Sequence, residues 1–334
     1  MNRCAAKGSE PWIAGVLALI VLWPHQTEAA NLGPRNGHPR ITFHAAIASG
    51  IPAPVARVMA LASVAPDYFE FDHPEAHAQR EDPAWRRQGR MYRMLESTQT
   101  CQQRYREANE QSDRWRGFYF QAAVAALQRQ DRERAAFLFA YSHHNTQDFA
   151  THRLMPNLLH AGLRAAGHDP DNIPERVEEA ERRSKEAIAR FRNVIGEPLW
   201  LVFTSKDALP VWGEALASWD PTEQPIPPVK DRRDFYRRNQ HGEEVETDRL
   251  KTRIVTRALF PRERQMVRWL TEGIERGSRT PRAPREKGPW GLLGLGLQGL
   301  RFERTLSGVY RNLAEDDRRR LNECWEAFGV TQGG

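Results

Sequence analysis

The chain has 334 residues, a net charge of +6 at pH 7, and 40% hydrophobic residues. That length and apolar content are sufficient for a substantial core and exclude a disordered chain. Charged residues make up 28% of the sequence, which excludes a protein built mainly of membrane-spanning helices. The excess of positive charge favours anionic partners, such as phosphate esters, phospholipid surfaces or nucleic acid.

Residues 1–30 are predicted to be a cleavable secretory signal. An apolar run at 13–23 follows two basic residues, Arg3 and Lys7, and precedes the small residues Ala29 and Ala30. The run is too short to span a bilayer, which needs about 20 residues. The order basic, apolar, small is typical of a signal peptide, so we expect an exported protein, periplasmic or secreted.

Two cysteines, Cys101 and Cys324, would remain after signal removal. In an oxidising compartment they could form one disulfide that closes a very long loop, or stay as separate buried thiols. The sequence leaves both possibilities open. Two cysteines cannot build a thiolate zinc site, so any metal must be bound by histidine and carboxylate side chains.

The mature chain is predicted to be all-α, because its hydrophobic pattern has the period of a helix and shows no sustained alternation. Buried helices are expected over 117–127 and 132–152, and a capping pattern at 172–175 predicts the start of a further helix. The predicted organisation is a signal peptide at 1–30, a helical domain at 31–219, and a helical C-terminal extension at 229–334 with a basic linker at 277–289.

The most informative motif combines His144, Asp148 and His152 at spacings of four residues. At this spacing all three side chains lie along one face of a helix. His144 and His152 start about 12 Å apart along the axis, which is too far for both to bind one zinc ion at about 2.0–2.1 Å. The spacing therefore indicates two metal positions, with Asp148 between them as a carboxylate able to serve both.

A second group of candidate ligands lies upstream of this motif. His44 is on a helix predicted to begin at Ile41, Asp67 follows an apolar helical run, and His73 and His77 come shortly after it. Histidines are concentrated before residue 170, and a largely apolar surrounding tolerates buried His and Asp only when they are paired or bind metal. We therefore expect a metal site formed by these two segments.

Together these segments resemble the zinc-dependent phospholipase C family. The resemblance covers roughly residues 40–195 and rests on the apolar helix that ends in Pro-Asp, the nearby histidine, and H-x-x-x-D-x-x-x-H on an apolar helix. The wider group includes single-strand-specific nucleases and the catalytic domain of glycosylphosphatidylinositol-specific phospholipase D, to which the segment 136–154 is especially similar. The resemblance implies a multi-helix phospholipase C/nuclease-like fold that binds two or three zinc ions.

The resemblance also implies a ligand set. Asp67, His77, His144 and Asp148 would bind one ion, with His73 as an alternative to His77. Asp148 would also serve an ion bound by His44 and by the mature N-terminal amine. His152 and His168 would bind a third ion, with His160 as an alternative to His168.

The implied activity is hydrolysis of a phosphodiester by metal-activated water, with Asp67 as the catalytic residue that orients or deprotonates that water. The expected substrate is a phospholipid head group, and contact with an anionic membrane surface is possible for so basic a chain. The alternatives are a single-strand-specific nuclease of the same superfamily, with nucleic acid as its substrate, and a non-catalytic secreted metal-binding protein. The sequence indicates no protein partner.

Overall fold

The computed structural model describes residues 37–70, 73–80, 98–166, 168, 173–207, 209, 216, 262–272 and 305–327. The predicted signal peptide and the linker at 277–289 lie outside these residues. Within them the chain is helical and has no strand, apart from one isolated bridge between Arg80 and Pro156, so the all-α prediction is confirmed. The helices are α1 (His38–Ala48), α2 (Ala53–Ala62), α3 (Ala65–Phe69), α4 (Thr98–Gln128), α5 (Arg132–His152), α6 (Asn157–Ala165), α7 (Pro174–Phe203), α8 (Glu263–Thr271) and α9 (Glu315–Trp325).

Helix α5 is the central helix of the described bundle. Its residues 135–145 are all buried, and it packs against α2, α4 and α7. The Asp131 carboxylate accepts a hydrogen bond from the Arg134 backbone N–H at 3.2 Å and so caps the helix. A helix buried on every side can carry polar residues only where they find partners inside the bundle.

Aromatic contacts fix the neighbouring helices against α5. The rings of Phe139 and Phe191 stack with their centroids 4.1 Å apart and join α5 to α7. Phe137 contacts Trp269 of α8 at 5.6 Å, and Tyr141 stacks on Trp115 of α4 at 5.4 Å. Such pairs add to the free energy already gained from burying the rings.

Helix α7 begins at Pro174, within two residues of the predicted start, and bends at Gly196. Gly196 has φ 76°, in the left-handed region that favours glycine, and Pro198 cannot donate a helical hydrogen bond. The bend brings Trp200 and Phe203 of the last turns into the core, where both are buried.

The described parts of the C-terminal extension pack on this bundle. Arg134 of α5 pairs with Glu272, which follows α8. The Ser307 hydroxyl donates to the Ala161 carbonyl at 3.2 Å. Of the two possibilities left open for the cysteines, the disulfide is the one that forms: Cys101 and Cys324 are bonded, with their Cα atoms 6.3 Å apart. In the part of the chain that the structure describes, no helix combines the length and apolarity needed to cross a membrane.

Candidate metal centre

Five side chains from different parts of the fold converge at one place. His38 comes from the first turn of α1, Asp67 from α3, His77 from the segment 73–80, and His144 and Asp148 from α5. Two overlapping groups have all their ligand atoms within 4.8 Å of one another: His38, Asp67 and His144 form one, and His77, His144 and Asp148 form the other. These groups have the chemistry and the spacing required to hold a metal ion.

Five separations among four of these atoms are close to those between the ligands of a tetrahedral metal site. His144 Nε2 lies 2.8 Å from His77 Nδ1, 3.1 Å from Asp148 Oδ2 and 3.6 Å from Asp67 Oδ1. His77 Nδ1 lies 3.4 Å from Asp148 Oδ2 and 3.6 Å from Asp67 Oδ1. A tetrahedron with ligands about 2.0–2.1 Å from its centre has edges of about 3.3 Å. The five separations bracket that value, so these atoms are close enough to share one metal ion.

Hydrogen bonds on the outer side of two rings fix which nitrogen faces inward. His144 Nδ1 donates to the Ser63 carbonyl at 2.8 Å, and His77 Nε2 donates to the Glu70 carbonyl at 3.1 Å. Because a carbonyl oxygen only accepts, both outer nitrogens carry their protons. Two neutral rings would therefore point lone pairs at each other across 2.8 Å, an arrangement that calls for a proton or a metal ion between them.

Asp148 faces the histidines with both of its carboxylate oxygens. Its Oδ2 contacts His144 and His77, whereas its Oδ1 lies 3.2 Å from His38 Nε2. The other ring nitrogen of His38, Nδ1, lies 2.5 Å from Gln147 Oε1. A carboxylate placed in this way can serve two cations, one on each oxygen.

Two buried polar atoms at the cluster lack a hydrogen-bond partner among the described residues: His38 Nε2 and Asp67 Oδ2. Buried polar atoms are normally hydrogen-bonded, and an exception calls for a ligand or an ion. His38 Nε2 is close to Asp148 but not in hydrogen-bonding geometry with it. Both atoms belong to types that bind zinc, so the donor set fits a metal ion.

The carboxylates also control the charge of the histidines in metal-free protein. Burial by itself lowers the pKa of His38 and of His77, but Asp148 and Asp67 outweigh it and raise the pKa of both rings above the ordinary 6.5. Burial and the neighbouring charge of His38 lower the pKa of His144, although both carboxylates oppose this. A bound cation would take the place of the protons on His38 and His77.

The cluster opens toward solvent on the side of Asp67 and His77. The side chains of His38, His144 and Asp148 are at most 4% exposed, whereas those of His77 and Asp67 are 10% and 14% exposed. Asp67 is therefore the carboxylate that a small molecule entering from solvent would meet first.

A fully buried glutamate, Glu70, supports this side of the cluster. Its carboxylate accepts hydrogen bonds from Trp115 Nε1 at 2.6 Å, Tyr141 Oη at 2.8 Å and Tyr119 Oη at 3.1 Å. Its backbone carbonyl accepts the bond from His77. The sequence did not point to Glu70, because nothing in the segment 67–75 distinguishes the acidic residue that becomes buried from the others.

The structure brings together four of the ligands predicted from the sequence: Asp67, His77, His144 and Asp148. Of the alternatives His73 and His77, it is His77 that lies in the cluster. His73 instead has its Nδ1 at 3.7 Å from a Glu70 carboxylate oxygen.

The structure does not bring His44, predicted as the ligand from the first helix, to the cluster. His44 is exposed, and His38 occupies the position expected for it. The helix begins at His38 rather than at Ile41, so His38 lies on the same face as the buried residues Ile41, Thr42 and Ala45, three, four and seven positions later. With the helix start known, that spacing predicts that His38 faces the interior.

The third site, expected from His152 and His168, stays a prediction. The side chain of His152 lies outside the described part of the structure. His168 is exposed and is not one of the described groups that converge. The alternative residue, His160, is largely buried on α6 and is not in the cluster either.

The chain shows no match to a protein-family model, to a curated protein or to a solved structure. The resemblance to zinc-dependent phospholipases C therefore stays a prediction from the sequence motifs.

Proposed function

We propose that the chain is an exported zinc-dependent phosphodiester hydrolase that resembles phospholipases C. The observation that carries this proposal is the convergence of three histidines and two carboxylates in two overlapping groups that could each hold a metal ion, with one carboxylate partly open to solvent. The Cys101–Cys324 disulfide supports export, because such bonds persist mainly in oxidising compartments.

Zinc is the metal that we expect here, since imidazole and carboxylate ligands suit it. Asp67, His77, His144 and Asp148 would hold one ion, and His38 with the second oxygen of Asp148 would contribute to another. When bound, zinc lowers the pKa of a coordinated water toward about 7 and polarises phosphoryl oxygens.

The side chains of the cluster would have different roles in the hydrolysis. Asp67 orients the attacking water and accepts its proton, because it is the most exposed member of the cluster and its Oδ2 has no described partner. Asp148 and the three buried histidines fix the charge and position of the site. The overall positive charge raises the local concentration of an anionic substrate.

As substrate we favour a phospholipid head group over single-stranded nucleic acid. A nuclease of this kind would need aromatic rings beside the cleft on which bases stack. Trp115 and Tyr119, two aromatic residues of α4 next to the cluster, are buried and donate to Glu70, so they are not available for stacking. Among the described residues, this observation favours a phospholipid over a nucleic-acid substrate.

The test compares adjacent histidines on one helix. Zinc is counted in purified wild-type protein and in the His144→Ala and His143→Ala variants. His143 is buried next to the cluster but does not belong to it, so it is the matched control. We expect one or more zinc ions per wild-type chain, their loss in His144→Ala, and their retention in His143→Ala. Wild-type protein that binds no zinc under zinc-replete conditions would overturn the proposal.

A second measurement separates the substrates. Zinc-loaded protein is assayed with a soluble phosphocholine ester, with phosphatidylinositol vesicles and with single-stranded DNA, each with and without chelator. We expect chelator-sensitive hydrolysis of a phospholipid head group. Cleavage of DNA alone would establish the nuclease alternative. No turnover by fully loaded protein would leave a non-catalytic metal-binding protein.

A further inference from the structure

One buried amide beside the cluster has its orientation dictated by its surroundings. Gln147 precedes Asp148 on α5 and is 1% exposed. Its Nε2 donates to Thr42 Oγ1 at 2.8 Å and to Ser184 Oγ at 3.1 Å. Its Oε1 lies 2.5 Å from His38 Nδ1. The amide therefore joins α1, α5 and α7 at the metal centre.

The direction of these hydrogen bonds follows from Ser184. The Ser184 hydroxyl has one proton, which it donates to the Ala180 carbonyl at 2.8 Å. Toward Gln147 it can therefore only accept, so the group that faces it must be the amide NH₂. The oxygen of Gln147 must then face His38, and the orientation of the amide is not interchangeable.

The orientation of Gln147 in turn fixes the proton on His38. Because an amide oxygen only accepts, His38 Nδ1 must be the donor. A neutral His38 then carries its lone pair on Nε2, the atom that faces Asp148 and belongs to the group of metal-binding atoms. We propose that Gln147 is a positioning residue that holds His38 in the tautomer able to bind metal. This inference rests on the proposed metal site.

His38 is the only clustered histidine among the described residues that depends on a side chain for this purpose. His77 and His144 are oriented by the backbone carbonyls of Glu70 and Ser63, which no substitution removes. Hydrogen bonds that orient a metal-binding histidine typically change metal affinity by about 10- to 100-fold. Substitution of Gln147 should therefore affect the metal position that His38 serves.

Two substitutions distinguish orientation from packing. Gln147→Met preserves length and volume but removes the strong acceptor, whereas Gln147→Glu keeps an acceptor and adds a charge. Zinc affinity is measured by chelator competition, with His143→Leu as the control on the same helix. We expect affinity about 10- to 100-fold weaker in Gln147→Met, and affinity close to wild type in Gln147→Glu and in the control. If Gln147 only fills space, the order of the two zinc affinities should be reversed: Gln147→Met should bind zinc like the wild type, and Gln147→Glu should bind it more weakly.

A spectroscopic measurement tests the tautomer without metal. Imidazole ¹⁵N resonances of His38 are recorded in metal-free wild-type protein, at a pH at which this ring is neutral. We expect the proton on Nδ1, and its transfer to Nε2 in Gln147→Met. A wild-type ring protonated on Nε2 would overturn this inference while leaving zinc binding intact. Wild-type protein that binds no zinc but keeps the Nδ1 proton would instead overturn the proposed function.

Discussion

Asp148 is the residue on which the proposed centre depends most, because its two oxygens face different histidines. In Asp148→Asn one oxygen becomes an NH₂ group that cannot bind a cation, and the negative charge is lost. We expect metal content and turnover to fall together. Asp67→Asn is the matched comparison and should lower turnover more than zinc occupancy, because the proposed role of Asp67 includes the attacking water. Unchanged zinc content in Asp148→Asn would remove this residue from the site.

His143, the neighbour of His144, gives a prediction about pH. Burial lowers its pKa from 6.5 to about 4, although a hydrogen bond with the Ser184 backbone acts to raise this pKa. Because the folded-state pKa lies below the unfolded value, the neutral ring's contribution to stability is fully present above about pH 6.5. It is lost as the pH falls toward about 4, since the unfolded chain then binds a proton that the folded chain excludes.

The measurement is the free energy of unfolding in urea at pH 7 and at pH 4, for metal-free wild-type protein and for His143→Leu. Lowering the pKa from 6.5 to about 4 corresponds to a change of roughly 3 kcal/mol in the free energy of unfolding. The wild-type protein should therefore lose about 3 kcal/mol more than the variant between these pH values. Equal losses would show that His143 is protonated as easily in the folded protein as in the unfolded chain.

Helical spacing alone predicts the candidate site only where its residues share one helix, whereas Asp67 and His77 were assigned to the same ion by the resemblance. His144 and Asp148 lie on α5, and helical spacing alone places their side chains on one face. His38 was missed, because it belongs to the helix only when the helix begins about one turn earlier than expected. Gln147 could not be predicted, since its role depends on Thr42 and Ser184 from other helices.

At the scale of elements, the short helix α3 and the segment after it depend on Glu70. Its carboxylate accepts hydrogen bonds from one tryptophan N–H and two tyrosine hydroxyl groups of α4 and α5. It lies three residues after Asp67, and its carbonyl orients His77. Glu70→Leu would leave all three donors buried without a partner, at about 1–3 kcal/mol each. We expect a loss of more than about 3 kcal/mol in the free energy of unfolding, together with weaker zinc binding.

Trp115→Phe is the control for this prediction, because it removes a single donor and leaves the carboxylate with two. We expect a smaller loss, about 1–3 kcal/mol, and nearly normal zinc affinity. If both variants lose the same stability and the same zinc affinity, Glu70 does not hold Asp67 and His77 in place.

The elements themselves differ in how well the sequence predicts them. The bounds of α5 and the start of α7 follow from hydrophobic period and capping residues, which are local signals. The segment 73–80 has no such period. Its conformation is set by contacts with distant residues, among them the hydrogen bond from Asn145 to the Glu75 carbonyl. Local reasoning consequently places the helices better than the irregular segment that supplies His77.

At the scale of the whole molecule, the C-terminal segment 305–327 is joined to the bundle at several points. The disulfide links Cys324 to α4 across 223 positions of sequence. Nearby, the Arg176 guanidinium lies 5.2 Å from the centre of the Trp325 ring. The sequence could not decide whether the cysteines pair, because pairing depends on how the chain returns after hundreds of residues. Neither cysteine is among the clustered side chains, so loss of the disulfide should lower stability without changing metal binding.

The double variant Cys101→Ser/Cys324→Ser tests this separation. A disulfide that closes so long a loop restricts the unfolded chain, and its removal typically costs about 2–4 kcal/mol. We expect the free energy of unfolding to fall by that amount, while zinc content per chain stays at the wild-type value, since the ligands lie on α1, α3, α5 and the segment 73–80. Reductant should lower wild-type stability to the level of the variant and leave the variant unchanged. Loss of zinc in the variant would mean that the C-terminal segment is needed to keep the metal centre assembled.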